Sequence, residues 1–320
     1  MFQEIRDIIE RGEKFLITAH IDPDGDATGS TFSLYWVLDS LGKQPCIYLR
    51  DPVPYMYEFL PKPPRVAHGE IPEDRYDAVF ALDCGNLFRV GNGYEKLKDM
   101  GPVINIDHHT TNEPFGIVNI IDANASSVAE ILYRLYKTMQ VTMTYDMAIN
   151  IYTAIFTDTG SFRYSNTNSQ AFLICEEMTR CGVAPSYVAQ MVHENHPKER
   201  FLLLGLVLAT LETLKNDTIA MAMVTQEMFR RTNTSKEHTE GFVESVREIR
   251  GVDVAILLRE ITGSLYKISM RSKGNTDVAG ICNLFGGGGH RNAAGCTIDG
   301  TIGEVKDRLK KSALGISGGQ

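Results

Sequence analysis

Short runs of apolar residues recur through the first third of the chain, and polar residues follow each of them. The runs cover residues 15–19, 46–49, 78–82 and 103–106, with helical periodicity between some of them. Continuous apolar runs of this length are typical of the buried strands of a parallel sheet. We therefore expect an α/β N-terminal domain built on a parallel sheet.

The pattern changes twice further along the chain. Helical periodicity covers residues 127–139, 146–156 and 169–181, and Gly182 marks the end of the third helix. Pro185 opens a mostly helical stretch to about residue 215, and strand patterns at 219–224, 254–258 and 265–270 follow, with a charged helix near 241–250. We predict a catalytic domain over residues 1–185, a helical connector over 186–215 and a smaller α/β substrate-binding domain over 216–320.

The stretch that directly follows the first apolar run is the most informative in the chain. It reads His20-Ile21-Asp22-Pro23-Asp24-Gly25-Asp26 and leads into a helical pattern over residues 27–41. In open α/β sheets, ligands bind at the carboxyl ends of the strands. So much negative charge in one loop is costly without a cation, and carboxylates with imidazole suit Mn, Mg or Fe. This loop is a candidate metal site.

A simpler interpretation of the same loop is a helix N-terminus. Asp24 or Asp26 would then cap the following helix, and His20 would be an incidental polar residue. The loop alone leaves both interpretations open.

Three further clusters favour the metal interpretation. Asp83 follows the run 78–82, Asp107-His108-His109 follows the run 103–106, and Asp158 lies in what we expect to be a loop over residues 157–164. Together the clusters supply ligands for two hard divalent ions, with one carboxylate left to bridge them: His20, Asp24, Asp26, Asp83, His108 and Asp158. Two such ions can activate a water and stabilise both oxygens of a phosphoryl transfer. We expect hydrolysis of a phosphate ester.

A glycine run near the C-terminus is a candidate anion site. The run is Gly286-Gly287-Gly288-Gly289, followed by His290 and Arg291. Successive glycines can expose backbone N–H groups to an anion, and His290 and Arg291 would place cationic donors beside them. The alternative is a flexible loop, although such a loop does not usually run straight into His-Arg-Asn.

Composition restricts the classes of partner. The 320 residues are 43% hydrophobic and 22% charged, as in a globular protein. The net charge of −8 argues against a protein that coats long duplexes. The N-terminus resembles an acidic amphipathic helix rather than a signal peptide, and the apolar run 202–211 is too short to span a bilayer. We expect a cytoplasmic protein with no membrane partner.

Several cysteines and histidines could serve as metal ligands or nucleophiles, but simpler interpretations fit them better. The six cysteines are far apart and suit buried or incidental thiols. Cys84 has no evident activating partner, so a small buried thiol is the better interpretation. His193 and His196 are three residues apart in the connector, without a carboxylate-rich strand end, and we interpret them as solvated helix residues.

The four clusters resemble the motifs of the DHH-family phosphoesterases. His20-x-x-Pro23-Asp24-x-Asp26 resembles the first motif, Asp83 the second, Asp107-His108-His109 the third, and Asp158 with Gly160-Ser161 the fourth. The Gly-Gly-Gly-His run at 287–290 resembles the DHH-associated C-terminal domain. The resemblance covers essentially the whole chain. Residues 158–165 are similar to the nanoRNase and 3′-phosphoadenosine-5′-phosphate (pAp) phosphatase branch.

This resemblance implies a division of roles around two Mn²⁺ ions, for which Mg²⁺ or Co²⁺ could substitute. His20, Asp24 and Asp83 would hold one ion, while Asp26, Asp83, His108 and Asp158 would hold the other. His109 would face the scissile phosphate, and Asp107 would orient the motif behind it. Asp22 falls at a variable position and is not counted as a ligand.

The resemblance also implies the substrate and its binding residues. Arg163, Arg271 and the run from Gly286 through Gly287, Gly288 and Gly289 to His290 would bind the remaining phosphate or nucleotide, with the active site in a cleft between the domains. The substrates would be short single-stranded RNA or DNA oligonucleotides, pAp or dinucleotides. A homodimer is compatible with the sequence.

Three alternatives remain. The same chemistry could act on cyclic di-AMP or linear dinucleotide second messengers. An inorganic pyrophosphatase is more distant, because pyrophosphatases lack the glycine-rich ending. A catalytically silent nucleotide sensor would need a broken ligand set, and none of the ligand positions is broken.

Overall fold

The computed structural model describes residues 2–316 and shows two compact units, which divide between Asn195 and His196. The N-terminal unit contains a six-stranded sheet in the order β3-β2-β1-β4-β5-β6, and every neighbouring pair is parallel. The strands are β1 Lys14–Thr18, β2 Gln44–Tyr48, β3 Val66–Ala67, β4 Ala78–Leu82, β5 Val103–Asp107 and β6 Val118–Ile121. Its helices are α1 Gln3–Arg11, α2 Gly25–Ser40, α3 Leu97–Met100, α4 Val128–Thr138, α5 Tyr145–Asp158, α6 Ser169–Arg180 and α7 Pro185–His193.

Both faces of this sheet are covered, which explains the continuous apolar runs. Ile17 and Phe80 pack into one hydrophobic cluster, whereas their neighbours Leu16 and Val79 pack into another. A strand residue on either face therefore needs an apolar side chain.

The strand order places two loops side by side. The order reverses between β1 and β4, which are adjacent and parallel although β2 and β3 lie between them in the chain. Such a reversal opens a crevice at the carboxyl ends of the two strands. His20 lies two residues beyond β1, and Asp83 directly follows β4.

Helix α2 leaves β1 through this crevice and is buried on almost all sides. Eleven consecutive residues, from Gly25 to Tyr35, are buried. A Cβ atom on Gly29 would lie 2.4 Å from the carbonyl oxygen of Asn150 and 3.0 Å from Cβ of Ala154, both on α5. Glycine is therefore required at position 29 by the close approach of the two helices.

The second unit is also α/β but its sheet is mostly antiparallel. The order is β11-β12-β10-β9-β8-β7, with β8 and β9 parallel and the other pairs antiparallel. The strands are β7 Glu212–Leu214, β8 Ile219–Val224, β9 Val254–Thr262, β10 Leu265–Ser272, β11 Gly288–His290 and β12 Ala293–Asp299. The helices are α8 Lys198–Leu208, α9 Gln226–Thr232, α10 Phe242–Arg247, α11 Val278–Asn283 and α12 Ile302–Ile316.

The predicted fold class is confirmed: a parallel-sheet α/β domain is followed by a second domain with its own sheet. Three local predictions were wrong. Glu212–Leu214 forms an edge strand rather than the end of a helix, Gly288–His290 forms a strand rather than an open loop, and Asp158 ends α5 rather than lying in a loop. The predicted connector contains α7 in one unit and α8 in the other, and the proposed domain boundaries stay a prediction.

Replacing Gly29 with Ala should destabilise the N-terminal unit by about 1–3 kcal/mol, because an added methyl group overpacks the contact between α2 and α5. Gly205→Ala on α8 is the matched control, since nothing lies within 4 Å of the added Cβ. It should stabilise α8 by about 0.5–1 kcal/mol. Denaturant midpoints measure both changes, and a Gly29→Ala protein as stable as the parent would contradict the packing.

Candidate metal centre

The loops after β1 and β4 bring His20, Asp24 and Asp83 together. His20 Nε2 lies 3.4 Å from Asp83 Oδ2 and 3.9 Å from Asp24 Oδ1. Asp83 has a left-handed backbone with φ of 57°. Non-glycine residues in this conformation are uncommon and concentrate at functional sites. The turn at the end of β4 therefore fixes Asp83 in a conformation that its sequence does not favour.

Asp83 also belongs to a second group, with Asp26 and His108. His108 Nε2 lies 3.7 Å from Asp83 Oδ1 and 3.9 Å from Asp26 Oδ2. The same nitrogen lies 3.5 Å from Asp158 Oδ2, at the end of α5. Five of the six predicted ligands thus form two groups that share Asp83, and the sixth, Asp158, lies beside His108. Their role as metal ligands stays a prediction.

Helix capping and metal binding turn out to be compatible in the first motif. Asp24 caps α2 by accepting a hydrogen bond from the Ala27 backbone at 3.0 Å. Asp26 instead reaches across to the start of α4, where it accepts from the backbone N–H groups of Val128 at 2.7 Å and Ala129 at 3.2 Å. A carboxylate has about four lone-pair sites, so each residue can cap a helix and still offer a lone pair to a cation.

The carboxylates repel one another in this buried setting. Burial and the charge of Asp83 raise the pKa of Asp26 to about 7. Burial and the charge of Asp26 raise the pKa of Asp158 well above its usual value. For Asp83 burial acts in the same direction, but the hydrogen bond from His20 and the charges of the histidines hold its pKa below the usual range. A bound cation would relieve this repulsion.

The donor set fits a hard divalent ion. Oδ1 of Asp83 is buried and accepts no hydrogen bond from any residue that the structure describes. A buried carboxylate oxygen without a partner is costly, and this one lies 3.7 Å from His108 Nε2. Carboxylate oxygens with imidazole nitrogens, and no thiolate in either group, suit Mg or Mn.

Behind the centre, Asp107 holds His109. Its Oδ1 accepts hydrogen bonds from His109 Nδ1 at 2.7 Å and from the His108 backbone at 2.9 Å. Its Oδ2 accepts from the side-chain amide of Asn112. The same amide donates to the Cys84 carbonyl at 3.0 Å. Asn112 therefore ties the loop after β4 to the loop after β5, a role that the polar sequence around it does not signal.

Asp158 is held in a similar way. Asn166 Nδ2 donates to Asp158 Oδ2 at 3.2 Å and to the Ser126 carbonyl at 2.9 Å. Sequence reasoning missed Asn166, because its segment reads as an ordinary polar turn. The residues after Asp158 form a turn with three successive left-handed residues, Gly160, Ser161 and Phe162, at φ of 57°, 62° and 64°.

Two side chains, those of Arg163 and His193, make hydrogen bonds to this turn. Arg163 donates from Nε to the Gly160 carbonyl at 2.7 Å, so at least part of its guanidinium closes the turn. His193 Nε2 and Ser161 Oγ are hydrogen-bonded at 2.8 Å. His193 is exposed at the end of α7, as expected for a solvated helix residue, and its ring also steadies the turn.

Cys84 is a buried thiol, as expected. Burial, followed by the charges of Asp83 and Asp107, raises its pKa well above the usual value. A thiol with a raised pKa is a poor nucleophile. Thiol chemistry at Cys84 is not supported.

The predicted binding residues of the second unit have partners inside that unit. Arg271 Nε lies 2.7 Å from Glu244 Oε1. The N–H groups of Gly286 and Gly287 donate to the carbonyls of Asn283 and Cys282 at 3.1 and 3.0 Å. The expectation that all four glycines expose their N–H groups is therefore wrong. A Cβ on Gly287 would lie 2.2 Å from the Gly295 carbonyl oxygen, so close packing on β12 accounts for this glycine.

Comparison with known proteins agrees with this geometry. The model of the DHH family N-terminal domain matches residues 14–155, and that of the DHHA1 domain matches residues 216–315. A protein named bifunctional oligoribonuclease and PAP phosphatase NrnA, from Thermus thermophilus, is 33% identical over 89% of this chain and 84% of its own length. A Bacillus subtilis protein of the same name is 23% identical over 89% of this chain and 90% of its own.

A solved structure shares the whole architecture. The crystal structure of an exopolyphosphatase-related protein from Bacteroides fragilis has a TM-score of 0.89 and 28% identity, covering 98% of this chain and 95% of that one. The chain therefore belongs to the DHH family. It is a phosphoesterase, a hydrolase of that family, with a DHHA1 domain at its C-terminal end. Within residues 2–316, no helix is both long and apolar enough to cross a membrane.

Replacing Asp83 with Ala should lower Mn²⁺ affinity by more than about a hundredfold, since the loss should exceed that of a group that only orients a ligand. Titration calorimetry with Mn²⁺ measures the change. Cys84→Ala is the control at the neighbouring position and should bind Mn²⁺ as the parent does. Normal Mn²⁺ binding by Asp83→Ala would remove the case for a shared ligand.

Proposed function

We propose that the chain hydrolyses short oligoribonucleotides and pAp in a reaction that depends on two Mn²⁺ ions. The observation that carries the proposal is the pair of ligand groups that meet at Asp83, in a chain similar over nearly its whole length to a protein named NrnA. When bound, the ions would supply Lewis acidity and lower the pKa of the attacking water. His20, Asp24 and Asp83 would hold one ion, and Asp26, Asp83, His108 and Asp158 the other.

His109 is the proposed catalytic group beside the ligands. Its Nδ1 is fixed by Asp107, and this hydrogen bond sets the plane of the ring. The opposite nitrogen, Nε2, would then contact an oxygen of the scissile phosphate. Holding a donor in place before the reaction is the usual source of electrostatic stabilisation in such sites. Asp107 acts through His109 and is a positioning residue.

The rest of the substrate needs groups outside the metal centre. We propose that Arg163, Arg271 and residues 286–290 contribute to nucleotide binding. Arg271 is already oriented by Glu244, and His290 closes the β11 strand. We also propose that residues 1–185 supply the catalytic domain and residues 216–320 the substrate-binding domain, with a cytoplasmic location.

One assay tests the proposal directly. Turnover of pAp, a dinucleotide, a pentanucleotide, cyclic di-AMP and pyrophosphate is compared side by side with Mn²⁺, Mg²⁺ or Co²⁺. Fastest turnover of the dinucleotide and pAp supports the proposal. A clear preference for cyclic di-AMP or for pyrophosphate would reassign the substrate without changing the metal centre.

We expect kcat/KM to fall as the substrate grows beyond about five nucleotides, a length taken from the site sizes of single-strand grooves. Binding a longer strand needs a positively charged groove, and this chain has a net charge of −8. A labelled length series from two to about ten nucleotides measures the dependence. A value that stays level or rises with length would mean a processive exonuclease instead.

Asn112→Ala should lower kcat by about tenfold or more, because a buried carboxylate loses a donor and can turn away from His109. KM and Mn²⁺ affinity should change much less, since Asn112 contacts neither a proposed ligand side chain nor the substrate. The control is a replacement one step further from Asp107, at Asn105, which donates to Asn112 Oδ1 at 3.0 Å. Its replacement by Ala should have a smaller effect on kcat. Equal losses in kcat and Mn²⁺ affinity would indicate general disruption of the site.

A further inference from the structure

Two arginines beside the metal centre have side chains without a hydrogen-bond or ion-pair partner among the residues that the structure describes. Arg89 lies in the 3-10 turn Leu87–Val90, and Arg50 follows β2 by two residues. Neither side chain makes a hydrogen bond or ion pair with any of the residues that the structure describes. Arg163 and Arg271, which sequence reasoning favoured for phosphate binding, both donate to protein oxygens.

Both arginines border the first metal-binding loop. The Arg89 carbonyl accepts a hydrogen bond from the Ile21 backbone at 2.8 Å, directly beside His20. A Cβ at position 91 would lie 2.9 Å from Ile21 Cγ2, 2.5 Å from Arg50 Cδ and 3.0 Å from Arg50 Nη1. Arg50 and Ile21 therefore both pack against Gly91.

The two arginines start from neighbouring positions. Arg89 precedes Gly91 by two residues, and Arg50 Cδ and Nη1 lie against Gly91. Arg89 is exposed. A guanidinium without a protein partner can make charge-assisted hydrogen bonds to an external anion.

We propose that Arg50 and Arg89 form a phosphate-binding pair for a second, non-reacting phosphate of the substrate. The proposal rests on the proposed function and makes it more specific. Two planar guanidinium groups suit the several oxygens of a terminal phosphate, such as the second phosphate of pAp or the 5′-phosphate of a dinucleotide. The pair would therefore favour substrates that carry a terminal phosphate as well as the scissile one.

Two dinucleotides that differ in one group test the pair. With the 5′-phosphorylated dinucleotide pApA, Arg89→Ala and Arg50→Ala should each lower kcat/KM by about tenfold to a hundredfold, the range for hydrogen bonds to charged groups. With ApA, which lacks the 5′-phosphate, the loss should stay below about threefold. Arg89→Lys should keep part of the selectivity, because it keeps the charge but not the planar fork.

Two matched controls separate binding from structure. Arg180→Ala removes an arginine whose side chain is 77% exposed and paired with Glu176 on α6, and it should change neither substrate. Gly91→Ala would displace Arg50, whereas Gly93→Ala introduces a side chain at a comparable positive φ without touching Arg50. Only Gly91→Ala should reproduce the selective loss on pApA.

Measurements of pAp and AMP binding test the phosphate-binding pair without relying on turnover. Metal-free parent protein should bind pAp more tightly than AMP by calorimetry, and Arg89→Ala should abolish that difference. Equal losses of kcat/KM on pApA and ApA in the Arg89→Ala and Arg50→Ala variants would overturn the proposed phosphate-binding pair. A preference for pAp over AMP that is unchanged in Arg89→Ala would also overturn it. A parent chain that bound pAp but hydrolysed neither dinucleotide would instead overturn the proposed function.

Discussion

Repulsion among buried carboxylates is the constraint on which the N-terminal unit depends. Asp26, Asp83 and Asp158 lie within reach of one histidine, and each is held by a different neighbour. The start of α4 donates to Asp26, His20 to Asp83, and Asn166 to Asp158. These donors lower the cost of burying the charges, but they leave Asp83 Oδ1 unsatisfied. A cation beside this oxygen would offset the repulsion that remains.

The fold brings these groups together by topology rather than by local sequence. Because the strand order reverses at β1 and β4, loops far apart in the chain end at the same edge of the sheet. The sequence predicted this edge well, since apolar runs that end in Asp or His mark both the strands and their functional ends. It also predicted which six side chains come together, because each is an Asp or His that lies in one of the four motifs.

The parts that sequence could not reveal are those that depend on distant partners. Asn112 and Asn166 look like ordinary turn residues until the carboxylates they hold are seen. The glycine run suggested an anion site, but two of its N–H groups complete the end of α11, and packing on β12 explains Gly287. Likewise, nothing local distinguishes Arg89 from the paired Arg271. Whether an arginine has a partner is a property of the folded chain.

The burial of α2 has a consequence for how the protein is made. This helix is buried on nearly all sides, and the elements that cover it, α4 and α5, come late in the sequence. Asp26 meets its backbone partner in α4 only after 102 further residues have been added. At ordinary rates of translation this delay is on the order of ten seconds. During that time residues 25–40 lack the elements that bury them, so the N-terminal unit can complete its core only after α4 and α5 have been synthesised.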